Sequence, residues 1–464
     1  MEDKWKNRIL LDNLERPKSE LVPLSKGVLS ARGTKLFNVL QGDIKGQEKA
    51  VRDVVRALEL EWSGLREFNK PISVILAIGP SGTGKTHLAR MLAKHLLGSS
   101  DAITRIPCEA ANERHAVSDI LGAPPGYIGH GNPSPLTQFN IDRFDFMKKF
   151  LQSDFATKVM IELRDDIKRS EELKSEKESE LNDLKKNTKM TEEAKGQKEE
   201  QLRDEIEDID TNIEEAKRLK KNSLSAMTDQ QAEVLYKKYG HILGPFLSVI
   251  LFDEIEKADE YFRKMLYGVF DEGILRLRSG QVTNLRNSII LLTSNVGESE
   301  IRDRLSGRRI GFLSAANKSR GVGNLDQEMY EIAREAATRF FEAPFLGRIS
   351  ILSVFRPLNR KTMMEILELK LRELKQVLVE TKVPVGLVVD GAVMDFLLDK
   401  AMKYPDEGAR VLERRVTEKI KPELAALINA GSIKRGDVIH VKLSGRGNKK
   451  DITFFNQPNL DKTK

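Results

Sequence analysis

The sequence predicts an α/β protein: a parallel β-sheet with helices on both faces, a smaller α/β domain behind it, and an antiparallel pair of helices inserted into the larger domain. Three observations carry this. Ile72 to Ile78 is an almost unbroken apolar run rich in β-branches, the pattern of a parallel strand covered on both faces. It leads into the glycine-rich Gly79-Pro80-Ser81-Gly82-Thr83-Gly84-Lys85-Thr86, after which Leu88, Met91, Leu92 and Leu96 share one helical face. From about Phe155 to Asn222 charged residues outnumber all others, and Leu202, Ile206, Ile209, Ile213 and Ala216 recur at alternating spacings of four and three, a coiled-coil seam.

Composition bounds the rest. The 464 residues leave room for about two to four domains. One cysteine, Cys108, excludes a disulfide framework and suits a reducing compartment. Met1 to Leu11 is too charged for a signal peptide, and no apolar run reaches the length of a bilayer, so the expectation is a cytoplasmic protein without a membrane segment. The net charge of +7 permits contact with nucleic acid or an acidic partner. With 32% of residues charged in both senses, a well-solvated surface is the better explanation.

In chain order, residues 1–40 mix Pro17, Pro23, Gly27 and Gly33 with scattered charges and read as an N-terminal arm. A large domain follows over 41–355, interrupted by a helical insertion over 140–240, and a small C-terminal domain covers 356–464. Val51, Val54, Val55 and Leu58 give a helix before the glycine loop. Ala102 to Pro107 reads as a short strand, and Ile120 to Gly131 as a Gly/Pro-rich loop. Within the insertion, Phe155, Val159, Leu163, Ile167, Leu181 and Leu184 form a poorer seam, and Lys185 to Thr191 divides the two arms. Arms of about 32 residues would fold back as a hairpin roughly 48 Å long. A single solvated helix or a disordered linker is the alternative, favoured locally by Gly196. Phe246 to Phe252 and Ile289 to Leu292 are further buried strands. The small domain reads as helices at 360–380, 392–402 and 409–430 with strands at 386–389, 438–443 and 451–455.

The glycine loop suggests chemistry. Glycines let backbone N–H groups turn inward around phosphates, and the helix N-terminus adds partial positive charge. Lys85 can then reach the β/γ oxygens and Thr86 can ligate Mg²⁺. Asp253 and Glu254 end an apolar strand. Neighbouring parallel strands end on the same sheet edge, so Asp253 is placed to serve the metal and Glu254 to activate water.

These residues, with Gly122-Ala-Pro-Pro-Gly-Tyr-Ile-Gly129, Thr293-Ser-Asn-Val-Gly297, Phe345-Leu-Gly-Arg348 and Gly408-Ala-Arg410, resemble the successive motifs of Clp-type AAA+ unfoldases and disaggregases. The resemblance is to the second ATPase module of the ClpA, ClpB and ClpC branch and its small lid, over about 39–136 and 244–443. It implies an α/β P-loop AAA+ fold and an ATP- and Mg²⁺-dependent homo-hexameric ring that threads polypeptide through its pore. Carried over by position, Ile44 and Gln47 lie in the segment that packs on adenine. Asn295 resembles the first sensor, Arg348 the arginine finger acting on a neighbour's nucleotide, and Arg410 the second sensor. Tyr127, an aromatic held among glycines with Ile128 beside it, suits a grip that is tolerant of substrate sequence. Arg276 and Arg278 fall where the family has a second pore loop. Ile310-Gly311-Phe312 is similar to the tripeptide with which relatives contact a ClpP-type peptidase.

The sequence departs from the family in places. No counterpart of the amino-terminal domain and first module of two-ring members is present, so the expectation is a single ring, with the coiled-coil insertion receiving an adaptor or client. Gly347 stands where the family has Asn, and Pro107-Cys108-Glu109-Ala110 replaces an acidic segment. Readings from other classes are a nucleic-acid remodeller, with ATPase stimulated by DNA and steeply salt-dependent binding, and a scaffold that hydrolyses ATP without threading.

Overall fold

The computed structural model describes residues 26–113, 117–122, 134–186, 192–221, 227–305, 322–404, 407–445 and 450–458. Tyr127, Ile128 and Ile310-Gly311-Phe312 lie outside them.

The globular part begins before residue 41. Helix α1 (Ala31–Asp43) starts at Ser30, whose hydroxyl accepts from Gly33 N at 3.0 Å, and it buries Leu36 and Leu40. Within the expected arm over 1–40, residues 31–40 are therefore helical and packed on the large domain. The apolar residues of α1 are bunched in Leu36, Phe37, Val39 and Leu40, with Ala31 alone ahead of them, so no sustained period announces the helix, and tertiary packing holds it instead. Helix α2 (Glu48–Ser63) follows and stops at Gly64, which takes a left-handed φ of 71°.

Five strands build the main sheet: β1 (Ser73–Ile78), β2 (Thr104–Pro107), β3 (Ser248–Asp253), β6 (Ser288–Ser294) and β7 (Ile351–Val354), in the order β2-β3-β6-β1-β7 and all parallel. Val74, Leu76, Ile78, Ile250, Phe252, Ile290 and Leu292 join a core cluster on one face. The alternate residues Ile75, Ala77, Val249, Leu251, Ile289 and Leu291 join a second cluster on the other. That two-sided burial is why the strands read as continuous apolar runs rather than alternating ones. Between strands the chain forms α3 (Lys85–Leu97), α4 (Gln138–Leu151), α5 (Asp154–Lys186), α6 (Glu192–Lys221) and α7 (Asp229–Leu243). Beyond β3 come α8 (Glu260–Glu272), the antiparallel ribbon β4 (Ile274–Arg276) and β5 (Val282–Asn284), α9 (Glu298–Leu305) and α10 (Val322–Phe340).

Helices α5 and α6 pack against each other. Lys174 pairs with Asp210 at 2.6 Å and Lys177 with Glu205 at 2.9 Å, so partner numbers fall as the first helix rises and the pair is antiparallel. Ile167, Leu184, Leu202 and Ile213 are buried, which favours the hairpin over a lone solvated helix. At the root, Phe146, Phe150, Tyr239 and Phe246 form an aromatic cluster in which the Phe146 and Phe246 rings meet edge to face at 5.7 Å.

The small domain comprises α11 (Arg360–Glu380), β8 (Gly386–Val389), α12 (Gly391–Ala401), α13 (Arg410–Lys419), α14 (Lys421–Asn429), β9 (Val438–Ser444) and β10 (Asp451–Gln457). Its sheet runs β10-β9-β8 over a core that includes Leu367, Leu397, Leu412 and Val441. The helix expected over 409–430 is divided at Ile420. Pro422 has no N–H to continue the helix but suits the first turn of a new one. Among the described residues, no helix is long and apolar enough to cross a membrane.

Candidate nucleotide site

Because the strands are parallel, β1, β3 and β6 all deliver their C-terminal residues to one edge, and a cavity of about 370 Å³ opens there at the start of α3. Gly82 and Gly84 take left-handed φ values of 70° and 104°, which a residue with a Cβ adopts only at a cost. A Cβ on Gly84 would point into open space. One on Gly82 would stand 2.2 Å from Glu407 O, because the small domain closes directly over the loop. Ala409 N donates to Gly82 O at 3.0 Å, and Arg410 Nη1 donates to Ser81 Oγ at 3.0 Å.

Lys85 is buried, and its Nζ donates to Gly79 O at 2.5 Å, Pro80 O at 2.8 Å and Asn295 Oδ1 at 2.9 Å. Burial disfavours the charged amine and lowers its pKa from 10.5 to about 8. Its donors satisfy neutral carbonyls of its own loop, and phosphate oxygens are stronger acceptors for the same amine.

Asp253 is the most heavily bonded carboxylate of the site. Its Oδ1 accepts from Thr86 Oγ1 at 3.0 Å and Thr293 Oγ1 at 2.6 Å, and its Oδ2 from Arg105 Nε at 3.0 Å and Nη2 at 2.6 Å. Burial would raise its pKa, but the hydrogen bonds from Thr293, Arg105 and Thr86 outweigh burial and hold the carboxyl below its ordinary value. Glu254 carries a φ of 60°, unusual for a residue with a side chain. Its backbone N donates to Thr293 Oγ1 at 2.9 Å, and its carboxylate accepts from Asn295 Nδ2 at 3.2 Å and pairs with Lys257. Thr83 and Ile44 also line the cavity, and Ile44, Leu358 and Ile366 contribute apolar lining suited to a base.

Four predicted residues stand outside the cavity lining: Gly79 and Pro80, whose carbonyls accept from Lys85, and Gln47 and Arg348. Gln47 is buried outside the cavity lining. Its amide donates to Thr83 O at 3.2 Å and Arg356 O at 2.9 Å and accepts from Arg356 N at 2.9 Å, so it braces the glycine loop rather than facing a base. Arg348 is likewise absent from this cavity. Its Nε donates to Asp271 at 2.7 Å, its Nη1 to Pro344 O at 2.6 Å, and its guanidinium lies 4.7 Å from the Tyr267 ring centre. Gly347 has an ordinary right-handed φ of −62°, so the glycine in place of Asn imposes no unusual backbone on Arg348. Arg278 donates to Ser118 and its N–H to Leu121 O, which ties the ribbon of β4 and β5 to the segment before residue 123.

The residues fit a magnesium nucleotide. Two left-handed glycines shape an open cradle at a helix N-terminus, a buried amine waits on weak acceptors, and hard oxygens of Thr86 and Asp253 stand 3.0 Å apart. A family profile described as AAA domain (Cdc48 subfamily) matches residues 70–144 and 181–352, more than half of the chain. The chain belongs to this family. In the AAA domain the unmatched stretch falls in the inserted helices, and a profile for the C-terminal D2-small domain of ClpB protein matches residues 358–441, making this a Clp-type second module with its lid. ATP with Mg²⁺ is the ligand pair of such modules.

Relatives of the AAA domain include the chloroplastic chaperone protein ClpD of Arabidopsis thaliana, 28% identical over 413 residues, covering 89% of this chain and 32% of that protein. Another is the ATP-dependent Clp protease ATP-binding subunit ClpC of Staphylococcus aureus, 26% identical over 438 residues, 93% of this chain and 39% of that protein. Among solved structures, the closed state of Hsp104 with ATPγS and FITC casein superposes with a TM-score of 0.55 at 21% identity, over 92% of this chain and 53% of that one. The extended Saccharomyces cerevisiae Hsp104–casein complex gives 0.56 at 22% identity, over 90% and 52%. The chain thus spans about a third of these curated relatives and half of these structures, and at such identity the structures speak for the fold alone.

Arg105, Lys257 and Thr293 were not singled out from the sequence as site residues. Thr293 carried a signal, as the polar end of an apolar strand. Arg105 carried a fainter one, a cation on a stretch that reads as a short strand.

Proposed function

We propose that the chain is an ATP-hydrolysing motor module that unfolds or remodels polypeptide by threading it through the pore of a homo-hexameric ring. The observation that supports this most is the constellation of Lys85, Thr86, Asp253, Glu254 and Asn295 at one sheet edge, capped by the lid through Arg410. In this reading Lys85 trades its loop carbonyls for phosphate oxygens. Thr86 and Asp253 would hold Mg²⁺, which supplies charge neutralisation at the phosphates when bound. Glu254, steered by Asn295, takes the proton of an attacking water. Arg410 reports the nucleotide to the lid. Arg348, anchored by Asp271 and outside the lining of its own cavity, serves the nucleotide of the adjoining subunit, which makes turnover depend on assembly. Tyr127 and Ile128 grip the substrate. The paired helices receive a client or adaptor, Ile310-Gly311-Phe312 contacts a peptidase of ClpP type, and the setting is cytoplasmic, in keeping with the free, buried Cys108.

The test is an ATPase titration with casein and with duplex DNA, together with sedimentation in ATPγS. Casein stimulation of a hexamer that Tyr127→Ala abolishes while basal turnover persists is the expected result, with Glu254→Gln binding ATP but not cleaving it. Stimulation by DNA alone would replace this reading with nucleic-acid remodelling, and no stimulation by either would leave a scaffold.

A further inference from the structure

Arg105 sits between two spaces. One is the nucleotide cavity. The other is a larger cavity of about 1120 Å³ at the root of the inserted helices, lined by Asn140, Asp229 and Tyr236 among others. β2 and β3 pair in parallel with Arg105 opposite Leu251, which brings the guanidinium alongside the carboxylate two residues further on. Both of its bonds go to Oδ2 of Asp253, while Oδ1 is held by Thr86 and Thr293. The Asp253 side chain is 10% exposed and that of Arg105 52%, so the cation reaches the carboxylate from the solvent side.

Among the described residues, Arg105 is the cation that pairs with Asp253. Lys85 is bonded to Gly79, Pro80 and Asn295, and the Glu254 carboxylate pairs with Lys257. An arginine stays charged at any working pH, and its fork matches a carboxylate in a way a lysine does not. A divalent cation arriving beside Thr86 therefore meets a carboxylate whose charge is already matched and whose outer oxygen is occupied. The phosphates of a nucleotide would restore the missing negative charge.

We propose that Arg105 gates the divalent cation: by holding Asp253 it keeps free Mg²⁺ out, so that metal loads only together with nucleotide phosphates. This rests on the reading of Thr86 and Asp253 as the metal site. A like charge a few ångströms from the cation in half-exposed surroundings should weaken binding on the order of tenfold.

The experiment uses Mn²⁺ as probe, followed by electron paramagnetic resonance on the full chain with and without ATPγS, in wild type, Arg105→Gln, Arg105→Lys and Asp253→Asn. With ATPγS, Arg105→Gln is expected to bind Mn²⁺ on the order of tenfold more tightly than wild type, with Arg105→Lys between them because the ammonium keeps the charge but loses the fork. Without nucleotide, Arg105→Gln is expected to show a Mn²⁺ site that wild type lacks at the same concentration. Equal or weaker Mn²⁺ binding in both Arg105 variants overturns the proposal. If Asp253→Asn abolishes Mn²⁺ binding while the Arg105 variants behave as wild type, only this inference fails. If Asp253→Asn changes nothing, the assignment of the metal site itself fails.

Discussion

Replacing Gly408 by alanine tests whether the lid's grip on the glycine loop sets nucleotide affinity. Gly408 has a φ of 54°, and a Cβ there would lie 2.7 Å from Gly82 O and 2.8 Å from Ser81 O. The left-handed conformation costs a residue with a Cβ about 1–2 kcal/mol. Relieving the clash must also break the 3.0 Å bond from Ala409 N to Gly82 O, a net loss of about 1 kcal/mol. Lid closure should thus be weakened by about 2–3 kcal/mol, which corresponds to roughly 30- to 150-fold in affinity for a nucleotide held by both domains. The assay is a fluorescence titration with an ATPγS analogue, paired with hydrogen exchange at the Ala409 amide. The lid has its own apolar core, so the main melting transition should move little. Affinity within twofold of wild type, with the Ala409 amide exchanging faster, would refute the reasoning: the lid would have opened without the nucleotide responding.

Other expectations follow from buried charges and from the insertion. The amine of Lys85 has a folded pKa of about 8 against 10.5 when free, so the unfolded chain binds more protons between those values. Nucleotide-free wild type should therefore gain stability relative to Lys85→Met as pH rises from 8 to 10.5, read by thermal melts. Asp142 behaves oppositely. Burial raises its carboxyl from 3.8 to about 6 against the lowering pull of hydrogen bonds from Tyr236 and Gln138, so the folded chain holds the extra proton and stability falls as pH climbs across that window. Asp142→Asn should remove this loss, and its advantage in melting temperature should grow between pH 4 and pH 6. Shortening the paired helices by replacing residues 173–210 with a flexible linker leaves the aromatic root intact, and ATPγS affinity should stay within twofold of wild type.

Much of the fold was legible because the main strands are covered on both faces, so Ile72 to Ile78 and Phe246 to Phe252 could hardly be anything else. The chemical residues were legible for a related reason: loops at the ends of such strands must carry polar groups to one edge. What escaped depends on distance in sequence or on approach in space. Arg105 meets Asp253 across 148 residues, and nothing local in Thr-Arg-Ile-Pro says which carboxylate it will find. Gln47 sits in the predicted segment, yet its amide faces Thr83 and Arg356, a choice made by backbone carbonyls that no side-chain pattern records. Helix α1 was missed because its apolar residues are bunched in 36–40 rather than repeated along its length. The break at Ile420 was in the sequence all along, in Pro422.

The inserted helices leave and rejoin the large domain at one place. Asp145 on α4 accepts from Leu247 N at 2.8 Å, and Lys149 donates to Pro245 O at 2.5 Å, immediately ahead of the strand that ends in Asp253. Helix α5 alone has 33 residues, a moment arm of roughly 50 Å. A force applied at its far end is thus converted into torque at the footing of β3, and whatever pulls there leans on the carboxylates at the other end of the same strand.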